Sequence, residues 1–148
     1  MDSIHVSELP PHLLARLPTQ EKLLLAAEIL GIYCRVRLKL ARSKFPVALA
    51  ALRDSPPGMG PPDSVVTYMR AARLARAAQR TLRFVPADSR CLMQSLVLTS
   101  LLARRGITSS LSIGVNPGRD FKAHAWVEYS GRPLLPNFGD SYHLLTEL

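Results

Sequence analysis

The chain has 148 residues, nineteen Lys plus Arg against eleven Asp plus Glu, and a net charge of +8. An apolar content of 47% and a mean hydropathy of +0.09 exclude a disordered polyelectrolyte and fit one domain with a core of its own. Two cysteines, Cys34 and Cys91, exclude a disulfide framework, and the lack of a CxxC pair argues against structural zinc.

The positive balance suits an acidic partner, a nucleic acid or an anionic membrane surface. Few aromatics lie among the arginines, so a nucleic-acid groove with stacking platforms is not expected. The first residues, MDSIHVSELPPH, lack the basic start and apolar run of a signal peptide. The longest apolar stretch, residues 23–34, is broken by Glu28 and Gly31 and falls short of the ~20 residues a bilayer requires. The expectation is a cytoplasmic, soluble protein, with surface contact to a membrane left open.

Residues 1–18 carry Pro10, Pro11 and Pro18 and read as an extended arm. Thr19 is the expected N-cap of a helix over residues 20–43. Its apolar stripe is Leu23, Ala27, Leu30, Cys34 and Leu38, which casts Cys34 as a small buried hydrophobe. Arg35, Arg37, Lys39, Arg42 and Lys44 make the second half basic, as a solvated face or a docking surface for a partner or membrane. Residues 45–52 read as a short helix. Residues 55–62, SPPGMGPP, are a linker by their Pro and Gly content. Asp63 or Ser64 caps a second long helix reaching Phe84. Tyr68, Ala71, Leu74, Ala75, Ala78 and Leu82 share one side of it, and Arg70, Arg73, Arg76, Arg80 and Arg83 share the other. The single domain thus divides into an N-terminal arm and helices (1–54), a linker (55–62), and a helix with the chemical core (63–148).

Residues 84–87 break the second helix, and Asp88 or Ser89 is the next N-cap. Cys91 falls in the first turn of a helix reaching Arg105, with Gly106 as its stop. Residues 107–115 alternate as a half-buried strand, with Ile107, Leu111, Ile113 and Val115 facing one way and Thr108, Ser110 and Ser112 the other. Residues 116–121 turn. Residues 122–129 form a second strand, with His124, Trp126 and Glu128 on one face and Ala123, Ala125, Val127 and Tyr129 on the opposite one. Ser130 and Gly131 make a tight turn into a third strand at 132–137. The fold class is α+β: a helical half, then a helix followed by a small antiparallel sheet of about three strands.

A thiol at a helix N-terminus faces unpaired backbone N–H groups and the positive end of the helix dipole. Both favour thiolate, and the same N–H groups can receive a developing oxyanion. Cys91 therefore combines a nucleophile with part of an oxyanion hole. His124 follows after one intervening strand, on an element that can pack against the cysteine helix, as a thiol–imidazole pair requires. The imidazole needs a third group to orient it. With Tyr129 paired to Arg132 across the turn, counting back sets His124 opposite Asn137. Asp140, three residues on, is the carboxylate alternative and is slightly preferred because a carboxylate stabilises imidazolium better. Glu128 is a poorer third choice. Gln94 and Ser95 lie one turn after Cys91 and could line the site, though helix packing is the plainer use of Ser95. Trp126 shields the pair, walls a peptide cleft, or simply packs. A Cys/His metal site using His124 and His143 lacks paired ligand spacing, so no metal is expected.

The segments CLMQSLVLTSLLARRGI, LSIGV and FKAHAWVEYSGRPLL together resemble the leader peptidase of lasso-peptide biosynthesis, the standalone protease part of the B protein. The match is strongest over residues 87–135. It is looser over EKLLLAAEILGIYCRVRLKL and MRAARLARAAQRTLRFVP, which resemble that family's two helical segments. The resemblance implies a transglutaminase-like, papain-related fold and a Cys–His–Asp triad in which Cys91 is nucleophile and His124 is base. Members often place the acid near positions 135–137, where this chain has Leu135, Pro136 and Asn137. The implied substrate is a ribosomally made precursor peptide, whose leader is removed before a cyclase closes the core. A separate leader-recognition protein is the implied partner, and no cofactor or metal is implied. Two alternatives remain open: an acyltransferase of the transglutaminase type on the same scaffold, and a non-catalytic adaptor binding peptide through its arginine faces.

Overall fold

Three helices precede four strands along the described part of the chain. The structure, a computed structural model, describes residues 18–42, 64–85, 90–116, 122–135 and 143–147. The arm before Pro18, the short helix at 45–52, the linker and the caps Asp88 and Ser89 lie outside those residues, as do Asn137 and Asp140.

Helix α1 spans Thr19–Arg42. It opens with Lys22 N–H donating to the Pro18 carbonyl at 3.1 Å, so Thr19 is the first helical residue and not the cap. The helix buries Ile29, Ile32, Tyr33 and Val36. This reverses the expected stripe: Leu23, Ala27, Leu30, Cys34 and Leu38 are all exposed. The helix is apolar on two sides, and periodicity cannot tell which side meets the core. Its neighbour decides. Helix α2, Val65–Leu82, presents Ala71, Ala75 and Ala78, each at most 1% exposed. Those small side chains leave room for the bulky Ile and Tyr face of α1.

Helix α2 follows its predicted wheel. Ser64 is the N-cap, in extended conformation and without a side-chain cap bond. Tyr68 and Leu74 pack partly against the core, and Arg70, Arg76, Arg80 and Arg83 point to solvent.

Helix α3, Arg90–Ala103, is apolar almost all round and is central to the fold. Leu96, Val97, Leu98, Leu101 and Leu102 are at most 1% exposed. α1, α2 and the sheet all pack on it. Its end is set by Gly106 at φ 69, with Gly106 N–H donating to the Ala103 carbonyl and Ile107 N–H to the Leu102 carbonyl, both at 3.0 Å. That pattern needs a left-handed residue, which glycine adopts without strain. Arg105 donates to both carboxylate oxygens of Glu28, at 3.3 and 2.7 Å, tying this end of α3 to α1.

The sheet has the order β3-β2-β1-β4 and is antiparallel throughout. Strand β1 is Ser110–Asn116, β2 is Lys122–Tyr129, β3 is Arg132–Pro133 and β4 is His143–Glu147. β2 has the expected bounds. Ser130 at φ 49 and Gly131 at φ 71 form a mirror-image two-residue turn, which matches strand twist and pairs Tyr129 with Arg132. Two expectations change. The third strand stops at Pro133, well short of residue 137, and a fourth strand joins the far edge of β1. β1 is thereby a central strand, so Ser112, expected to point outward, is 2% exposed.

Candidate active site

Cys91 is the second residue of α3, where the backbone N–H groups of the first turn have no carbonyl four residues back within the helix. It is half-buried and its thiol is free. Gln94, three residues on, is also half-buried, on the neighbouring position of the same helix side.

His124 is the third residue of β2, half-buried and opposite Gly114 of β1. Burial holds its imidazole below the ordinary histidine value of 6.5, which favours the neutral form. Trp126 lies beside it on the same face. The two rings are nearly parallel, 17° apart, with centroids 6.0 Å from each other. The Trp126 indole N–H donates to Glu128 Oε1 at 2.6 Å. Glu128 therefore orients the ring that leans on the histidine, and Trp126 stands between it and His124 along the strand face.

A local detail of the sheet edge joins the helix and the strand that carry the two candidates. Leu134 N–H donates to the Val127 carbonyl at 3.0 Å, so the odd-numbered carbonyls of β2 point toward β3. β3 ends at Pro133, which leaves the Ala125 carbonyl beyond the last rung of the ladder. Ser95 Oγ donates to that carbonyl at 3.0 Å in a buried setting. Ser95 is one turn after Cys91 on α3, and Ala125 is the residue next to His124. Helix α3 is thus fastened, one turn after Cys91, to the edge of β2 at the residue next to His124. The sequence offers Ser95 as a site-lining residue or, more plainly, a packing one; only the shortness of β3 exposes the acceptor it fills.

The register count that points to Asn137 needs a strand running past Pro133, where β3 ends; Asn137 and Asp140 themselves lie outside the described residues. Among the described residues no group of three His, Cys, Asp or Glu side chains is gathered as a metal would need. Nor is any described helix long and apolar enough to cross a membrane.

The structure thus supplies a thiol at the start of a core helix, with helix N–H groups at hand for a developing negative oxygen, and a partly desolvated imidazole on the strand to which the same helix is hydrogen-bonded. That is the equipment for acyl transfer from a carbonyl, with water or an amine as the acceptor. The family comparison agrees with this chemistry. Residues 30–147, from the middle of α1 through β4, match the family model described as the transglutaminase-like superfamily. Searches of curated proteins and of solved structures return no match. The superfamily generally includes cysteine peptidases and transglutaminases. An α+β chain with a cysteine opening its core helix and a histidine on the adjoining strand, matched over most of its length, belongs to the transglutaminase-like superfamily.

Proposed function

We propose that the chain is a cysteine peptidase that removes the leader from a ribosomally made lasso-peptide precursor. The Ser95–Ala125 hydrogen bond is the observation that carries the proposal, because it fastens the helix of Cys91 to the strand of His124 next to the site. The particular substrate class rests on the resemblance of residues 87–135 to lasso leader peptidases.

His124 takes the thiol proton as Cys91 attacks the scissile carbonyl. Its desolvated, neutral imidazole suits that role as a base. Backbone N–H groups at the start of α3 stabilise the tetrahedral oxyanion. The imidazolium then protonates the departing amine, which is the new N-terminus of the core peptide. Water activated by the same imidazole attacks the thioester and frees the leader, returning the thiol. Asp140, or Asn137 in its place, serves as the group that orients the imidazole. Trp126, two residues from His124 on the same strand face, and Gln94, one turn after Cys91, form the peptide-facing wall. A separate recognition protein presents the leader, and a cyclase consumes the cleaved core.

The test is mass spectrometry of a candidate precursor incubated with this protein, its recognition partner, and in parallel the Cys91→Ala variant. A leader and a shortened core that appear only with Cys91 support the peptidase. A cross-linked product in place of cleavage would assign the same site to acyl transfer onto an amine. Cleavage that persists in Cys91→Ala eliminates the nucleophile.

A further inference from the structure

Helix α1 carries a second apolar face that no other described element covers. Leu23, Leu24, Leu30 and Leu38 are 65%, 71%, 41% and 48% exposed, and Ala27 and Cys34 continue the same line in the open. At 1.5 Å per residue the line from Leu23 to Leu38 is about 22 Å long. It lies opposite the buried Ile29, Ile32, Tyr33 and Val36. Isolated exposed leucines are unremarkable, but a contiguous helical stripe of this length is a docking feature. Gly31, at its middle, has nothing within 4 Å of the place where a Cβ would stand. The stripe is therefore low at Ala27, Gly31 and Cys34 and raised by leucines at both ends, which is a seat for another helix.

Charge selects the occupant. Arg35, Arg37, Lys39 and Arg42 border the C-terminal half and are all exposed, and α1 has no carboxylate after Glu28. Glu28 itself is engaged by Arg105. We propose that this face docks a partner protein presenting an amphipathic helix whose apolar ridge is bordered by Asp and Glu. The leucines and small residues take the ridge, and the cations meet the carboxylates at the rim, where they set orientation and association rate. A second copy fits poorly. Each chain carries +8, and an antiparallel pair would lay one set of cations over an N-terminal half whose carboxylates are only Glu21 and the engaged Glu28. A membrane surface also fits poorly, because the stripe lacks the Trp and Phe anchors usual at the lipid interface.

Cys34 supplies the reporter, since it lies on the stripe and is exposed. In the Cys91→Ala chain, maleimide labelling reads Cys34 alone. The probe is a synthetic helical peptide of about 21 residues, roughly 32 Å long, with a Leu/Ala face bordered by Glu. Expected are saturable binding by fluorescence anisotropy and a roughly tenfold slower Cys34 labelling in the complex. Affinity should weaken roughly tenfold between about 50 and 300 mM salt. Leu30→Glu with Leu38→Glu should abolish binding and leave the melting curve unchanged, because both side chains are exposed. Four results overturn the proposal: equal binding of a scrambled peptide of the same composition, binding only to phosphatidylcholine vesicles containing one-quarter phosphatidylglycerol, a dimer in light scattering that the double substitution dissolves, or a Cys34 already inert in the free chain. No readout uses peptidase activity, so the result stands apart from the reaction proposed above.

Discussion

Replacing Ser95 by Ala removes one hydroxyl from the interior and leaves the Ala125 carbonyl without its donor. Both groups are buried, and the bond is 3.0 Å long. A satisfied hydrogen bond contributes about 1 kcal/mol net, but an orphaned buried acceptor costs about 1–3 kcal/mol. For a chain of this size that is a fall of roughly 3–10 °C in melting temperature. The catalytic effect should be larger than the stability effect. Ser95 fastens the edge of β2 beside His124, and a shift of about 1 Å between reacting groups can cost on the order of 100-fold in rate. The expected variant folds, melts lower, and cleaves with kcat reduced roughly 10- to 100-fold and KM little changed. Ser100→Ala is the internal control. Its Oγ is buried on the same helix with no hydrogen-bond partner among the described residues, so the substitution should be neutral or stabilising by up to about 1 kcal/mol. Chemical denaturation and steady-state peptide cleavage of both variants make the comparison. If Ser95→Ala and Ser100→Ala behave alike in both assays, the edge bond does not position the site.

Trp126→Ala should open His124 to water and raise its pKa toward 6.5, read by NMR titration of the imidazole protons; an unmoved titration means the indole does not shield it. Because the folded state holds His124 below its unfolded value, the unfolded chain takes up the proton first as pH falls. The contribution is therefore whole above about pH 6.5 and lost as pH falls through 6.5 toward the folded value, so melting temperatures of wild type and His124→Gln should converge on acidification. Leu101→Ala, at a fully buried position of α3, should cost about 2–5 kcal/mol in denaturant unfolding. For the orienting group, Asp140→Asn should lower kcat roughly 100- to 10,000-fold while Asn137→Ala has little effect, and the reverse order would transfer the role to Asn137.

Much of the architecture follows from local pattern. The period of α2 separates its alanines from its arginines, and the Ser130-Gly131 pair forces the hairpin that fixes Tyr129 against Arg132. The alternation of residues 122–129 put His124, Trp126 and Glu128 on one face of a strand with the observed bounds. Cys91 at a helix start was legible for the same reason, since turn residues before it and Gly106 after it bracket a helical run. These are short-range effects, carried by backbone preferences within a few residues.

Other features needed partners distant in the chain. α1 could have buried either side, and the alanine face of α2 chose the Ile29–Tyr33 side, leaving Cys34 and its leucine neighbours in solvent. β1 became a central strand only because β4 returned to its free edge, which turned Ser112 from a surface residue into a buried one. The tie from Ser95 to Ala125 spans thirty residues and exists because β3 stops short. Sequence periodicity reports which faces of an element are apolar. It carries no information on which neighbour will cover each face, because that depends on packing volumes and unpaired backbone groups contributed by segments far away in the chain.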